Sequence, residues 1–165
     1  MSSDLCFFEV QEVKYLGHIV SHEGVKVDPN KIKAIKEWKV PTTIKQLRGF
    51  LRLIGYYRKF IKNYGKIAAP ITTLLKKDAF SWTPEVTKAF EHLKEAMCLA
   101  PVLSTPNFTK NFIVECDASR KGIGAILMQE GRAISFESHP IKGKNLQKAI
   151  YEKEMLAILH ALKKW

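Results

Sequence analysis

Apolar residues along this chain change period more than once, and each change marks a different kind of element. The runs 10–13, 15–20 and 25–27 are β-prone, with the turn Ser21-His22-Glu23-Gly24 before the third. Asp28-Pro29 then opens a helix, Asp as the cap and Pro at the first helical position, and Pro41 stops it after about Trp38. Thr43-Ile-Lys-Gln46 fits a capping box, a hydroxyl followed three residues later by Gln. The helix it starts is expected to run to about Asn63, with Leu47, Phe50, Leu51, Ile54, Tyr57 and Ile61 on its core face. Two further helices are expected, over 67–76 with Pro70 near the start, and over 84–99 capped by Thr83. Pro101, Pro106 and Asn107 mark a linker. Beyond it come β-prone runs at 111–117, 123–129 and 133–137, the last two joined at Glu130-Gly131, and an amphipathic helix over 146–165. The order predicts an α+β fold.

Charge sharpens the picture. The chain has 165 residues and a formal net charge of +11, and its composition is that of a globular protein. Between Asp28 and Lys77 there are 13 Lys or Arg against two acids, so this middle block carries the whole excess. A solvated helix face usually mixes both signs, whereas a block this biased reads as a nucleic-acid surface. On the long central helix, Lys45, Arg48, Arg52, Lys59 and Lys62 are spaced by three, four and seven, which places them on one side. Like charges so arranged repel one another, and an external polyanion is their natural complement. Cys6, Cys98 and Cys116 are far apart and form no Cys-x-x-Cys pair, which speaks against a disulfide framework or zinc site and for a reducing compartment. No apolar run is long enough to span a membrane, and Met1–Asp4 does not open a secretory signal.

Two carboxylates stand apart. Asp117 ends an apolar run, where a buried charge costs free energy unless a cation such as a divalent metal compensates it. The plainer role for Asp117 is to cap the turn that follows. Glu154 shares a helix face with Ile150, Ala157, Ile158 and Ala161; it either serves a site or lies at the rim and reaches water.

Ten motifs in order carry a resemblance: Tyr15-Leu-Gly-His18-Ile-Val-Ser, Val27-Asp-Pro29, Leu47-Arg-Gly-Phe-Leu51, Tyr56-Tyr-Arg-Lys-Phe-Ile61, Ile67-Ala-Ala-Pro70, Leu74-Leu-Lys76, Phe80-Ser-Trp82, Ala100-Pro-Val-Leu103, Val114-Glu-Cys-Asp-Ala-Ser119 and Tyr151-Glu-Lys-Glu-Met-Leu-Ala157. Over residues 5–165 the chain resembles the Pol polyprotein of gypsy-class LTR retrotransposons of the plant type. The resemblance implies the end of a reverse transcriptase palm over 1–27, a basic helical thumb over 28–79, a connector over 80–110 and the first part of a ribonuclease H domain over 111–165. It therefore implies a short palm-like β hairpin, a helical bundle, and a partial ribonuclease H-like unit of three antiparallel strands and one helix. Tyr15, Gly17 and His18 match the primer-grip hairpin. Gly49, flanked by Lys45, Arg48 and Arg52, matches a small residue that lets the thumb backbone approach the minor groove; Arg58, Lys59 and Lys62 extend the basic surface. Asp117 and Glu154 match the first two metal-binding carboxylates, for Mg²⁺ or Mn²⁺ in the parent enzyme.

Departures from the family shape the expected function. The polymerase's Asp-Asp pair occurs nowhere in the chain, Arg52 stands where the family usually has Gly, and the third nuclease carboxylate is expected on a strand after Trp165. Two carboxylates are a poor cradle for the ion pair that two-metal hydrolysis needs. The expectation is a Pol segment that binds an RNA–DNA hybrid or DNA duplex and is inactive alone, with weak or no metal binding. The alternatives are a non-catalytic nucleic-acid-binding module and a structural subunit of a split enzyme. Expected partners besides nucleic acid are the remainder of Pol and a second copy through an open sheet edge at Phe112-Ile-Val114, in a cytoplasmic virus-like particle or the nucleus, with no membrane.

Overall fold

The computed structural model describes residues 10–120 and 122–165; Cys6 and Met1–Asp4, on which the cysteine and signal readings partly rest, lie outside them. Strands β1 (Glu12–Tyr15), β2 (His18–Ser21) and β3 (Gly24–Val27) form an antiparallel sheet in that order. Four helices follow: α1 (Pro29–Lys36), α2 (Ile44–Tyr56), α3 (Tyr64–Thr73) and α4 (Pro84–Cys98). A second antiparallel sheet, β4 (Ile113–Ala118), β5 (Gly122–Gln129) and β6 (Arg132–Pro140), is ordered β4-β5-β6 and precedes α5 (Ile150–Lys164). Among the described residues no helix is long and apolar enough to cross a membrane.

Start signals in the sequence act largely as expected. Asp28 accepts the Asn30 N–H at 2.9 Å, and Thr83 accepts that of Val86 at 3.3 Å. At α2, Thr43 Oγ1 accepts the Gln46 N–H at 3.2 Å, while the Gln46 side chain reaches back to the N–H and hydroxyl of Thr42 rather than to Thr43. The helices share one core. Phe50 and Phe90 meet at 4.6 Å between ring centres, flanked by Trp38 and Trp82, so α4 of the expected connector packs into the thumb-like bundle.

The long central helix is interrupted. It ends at Tyr56, a 3-10 turn spans Arg58–Phe60, and Asn63 adopts a left-handed φ of 59° before α3 starts. Tyr57, Phe60 and Ile61 are all buried across this break, as helical spacing would also have them. α3 accordingly begins earlier than expected and holds Pro70 in its interior. α5 also differs. It starts at Ile150 after a 3-10 segment over Gly143–Gln147, and its buried face is Lys153, Ala157 and Ala161 rather than Ile150, Glu154 and Ile158.

The linker joins the two sheets. Leu103 pairs with Val25 through backbone hydrogen bonds of 2.7 and 2.9 Å, and the Ser104 N–H donates to the Ala133 carbonyl at 2.8 Å. Gly24, at φ 135°, makes this approach feasible: a Cβ there would lie 2.1 Å from the Leu103 carbonyl oxygen.

Candidate nucleic-acid interface

All 13 cations of the 28–77 block are exposed. Helix α2 sets Lys45, Arg48 and Arg52 on its outer side because Leu47, Phe50 and Ile54 claim the inner one. Gly49 lies exposed among them, and a side chain there would meet only Trp38 at ordinary contact distance. Lys59 and Lys62 are not on this helix; they lie after its end at Tyr56, so the five cations divide between α2 and the turn that follows rather than forming one helical stripe. Among the described residues none of the five has a carboxylate within ion-pair distance. Burial of part of the Lys59 side chain, whose ammonium lies 5.3 Å from the Phe60 ring centre, holds its pKa below the usual lysine value. Arg58 faces Glu137 of β6 at 3.9 Å.

The primer-grip-like residues divide. Tyr15 is exposed at the tip of the β1–β2 hairpin. His18 is 8% exposed and lies among Tyr56, Tyr57 and Phe60, so its ring belongs to the core. Gly17, at φ 79°, is fixed by packing: a Cβ there would lie 2.4 Å from the Tyr57 hydroxyl. Sequence reasoning missed what holds this hairpin. Tyr56 donates from its hydroxyl to the Leu16 carbonyl at 3.1 Å, and Tyr57 to that of Gly17 at 3.2 Å. Nothing in a helical pattern announces hydroxyl donation to a turn 40 residues earlier.

In the second sheet, Asp117 pairs with Gly124 of β5. Strand alternation puts Asp117 and Glu115 on the side of Lys62 and Asn63, while Cys116 and Ala118 pack with Ile123 and Ala157 under α5. Asp117 also lines a cleft of about 420 Å³ with Asn63, Gly65 and Lys66 of the helical bundle. Glu154 is exposed on α5 and does not line this cleft. The inward position beside it is held by Lys153, whose ammonium donates to the Leu146 carbonyl at 2.8 Å; a carboxylate could not satisfy that oxygen. Among the described residues no three His, Cys, Asp or Glu side chains are grouped to hold a metal ion. Asp117 and Glu154 supply hard oxygen donors of the right kind for Mg²⁺, but among the described residues no third carboxylate, His or Cys joins them.

A buried carboxylate lies elsewhere, on β6. Glu137, with a 7% exposed side chain, faces His160 at 3.5 Å and Arg58 and Lys164 at 3.9 Å. His139 stacks on His160 at 4.7 Å. This cluster joins β6, α5 and the turn after α2. On an alternating strand Glu137 reads as solvent-facing, and only the approach of three elements reveals it.

The family described as an RNase H-like domain found in reverse transcriptase matches residues 82–165. This chain belongs to that family. It is 45% identical over 162 residues to the retrovirus-related Pol polyprotein from transposon 297 of Drosophila melanogaster, covering 97% of this chain and 15% of that one. It is 40% identical over 177 residues to the Pol polyprotein from transposon gypsy of the same organism, covering 99% and 17%. The resemblance to retrotransposon Pol drawn from the ordered motifs is thus borne out, for a chain that spans 15% and 17% of these two relatives. An uncharacterized mitochondrial protein of Arabidopsis thaliana is 47% identical over 110 residues, 66% of this chain and 70% of that one. In structure the chain is similar to the foamy viral protease-reverse transcriptase in complex with double-stranded DNA, with a TM-score of 0.85 and 25% identity over 94% of this chain and 34% of that one. The same values of similarity hold for that protein in complex with an RNA/DNA hybrid, over 93% and 22%.

Proposed function

We propose that this chain is a duplex-gripping segment of a retroelement reverse transcriptase, in which the surface of α2 holds the sugar–phosphate backbone of an RNA–DNA hybrid or DNA duplex. The observation that carries this reading is the exposed set Lys45, Arg48 and Arg52 around Gly49, free of carboxylate partners among the described residues. Cations that pair with no protein carboxylate have their charge available for phosphates, which gives affinity with little sequence choice. A glycine at the centre removes the side chain that would hold the helix off the duplex. The complexes of the foamy viral protein support the same reading by similarity.

Hydrolysis of the RNA strand is a property we assign to the whole polyprotein. Asp117 and Glu154 are its first two carboxylates by the match of motifs, and Mg²⁺ would serve there to activate water in an assembled site. Replacing Arg48 and Arg52 together by Glu tests the proposal. Two lost phosphate contacts should reduce the salt slope of hybrid binding by about 2 and weaken affinity at least tenfold at low salt. Unchanged binding of a labelled hybrid would place the interface elsewhere.

A further inference from the structure

We infer that Tyr56 and Tyr57 are positioning residues that clamp the β1–β2 hairpin to the duplex-binding helix, so that contacts made at α2 are felt at the hairpin tip. The inference rests on the proposed duplex-binding role of α2 for its second half, and on geometry alone for its first.

The turn between β1 and β2 consists of Leu16 and Gly17, both at positive φ (47° and 79°), which matches the twist of a two-residue hairpin. Such a hairpin is marginal by itself, and β1 is exposed along its whole length. Besides the pairing of β2 with β3, what fixes its turn comes from Tyr56 at the end of α2 and Tyr57 just after it. The Tyr56 and Tyr57 hydroxyls donate to the two turn carbonyls, and the Asp28 N–H adds a third bond at 3.1 Å to that of Gly17. The two tyrosine rings meet edge to face at 4.9 Å, and His18 of β2 lies 5.4 Å from each. The arrangement is asymmetric. Tyr57 is 1% exposed and forms part of the core, whereas Tyr56 is 52% exposed and keeps its hydroxyl on the tip. Arg52 lies one helical turn before Tyr56 on the same helix, so the clamp adjoins the cationic surface directly. Tyr15 and Leu16, 65% and 69% exposed, are therefore presented at a fixed place relative to Arg48 and Arg52.

Hydrogen exchange on the full chain, free and with an RNA–DNA hybrid, tests both halves. In the free protein the amides of 16–19 should exchange about tenfold faster in Tyr56→Phe/Tyr57→Phe, the effect of losing two hydrogen bonds, with α2 amides unchanged. Adding hybrid to the wild type should slow exchange in both α2 and the hairpin; in the double variant it should slow α2 only. Tyr56→Phe alone, at an exposed position that leaves the core intact, should give an intermediate result. Wild-type exchange of the hairpin in the free double variant would overturn the clamp. Protection of α2 without any hairpin response in the wild type would overturn the coupling. Absence of protection in α2 itself would instead overturn the duplex-binding reading, and with it the coupling, while the free-protein comparison still decides the clamp.

Discussion

His18 shows how a residue read as a contact with nucleic acid can be a determinant of stability instead. Burial, and then the nearby Lys59 ammonium, hold its pKa below the ordinary 6.5, while the backbone carbonyls of Leu16 and Tyr15 pull weakly the other way. His139 is lowered too, by burial and then by His160. In the unfolded chain these imidazoles take up protons as pH falls through about 6.5, whereas the folded protein keeps them neutral to lower pH. Their contribution is therefore complete above that value and is lost progressively as pH falls towards their folded pKa. Urea denaturation at pH 7.5 and 5.5 should give a lower midpoint at the acid end, and His18→Phe, which keeps a ring in the aromatic pocket, should flatten the dependence without abolishing it. An identical pH dependence in wild type and variant would contradict this role for His18. At this scale the sequence showed the cations but hid the clamp, because a Tyr hydroxyl aimed at a distant carbonyl leaves no periodic trace.

At the level of elements, caps and strand pairs were legible because each depends on residues within a few positions. Asp28, Thr83 and the Glu130-Gly131 turn all act where the local pattern put them. The helix break at Tyr57 was not legible. Helical spacing continues through Ile61, so the apolar pattern is the same on both sides of the break, and the left-handed turn at Asn63 leaves no trace in it. The face of α5 was misread for a related reason: aliphatic Ile150 and Ile158 face outward while the stem of Lys153 is buried. Together with Met155, Leu159 and Leu162 they leave an apolar surface on α5. β4 is the edge of its sheet in the described residues, with Phe112, Ile113 and Val114 all more than a third exposed. An apolar edge of this kind is a template for strand pairing. In a dilute monomeric sample, amides over 111–118 and 150–164 should exchange faster than those of α2, and higher protein concentration should protect the β4 edge by self-association. Uniform protection of all three segments in the monomer would contradict that assignment of local stability.

For the whole molecule, the order of strands and helices and the imbalance of charge were readable before any coordinates, since both are sums over many residues. The joining of the parts was not. Leu103 bridging to Val25, Glu137 among Arg58, His160 and Lys164, and α4 packed into the helical core each depend on contacts between segments far apart in sequence. These joints place the second sheet against the bundle, with Asp117 towards α3 and Glu154 out on α5. If the exposed cationic surface grips a duplex through its phosphates, affinity must depend steeply on salt. With about five phosphates neutralised, the logarithm of the association constant for an RNA–DNA hybrid should fall against the logarithm of salt concentration with a slope of about −4 to −5, equally for unrelated sequences. A slope near zero, or affinity that follows base sequence rather than salt, would mean that this surface does not hold the duplex by its phosphates.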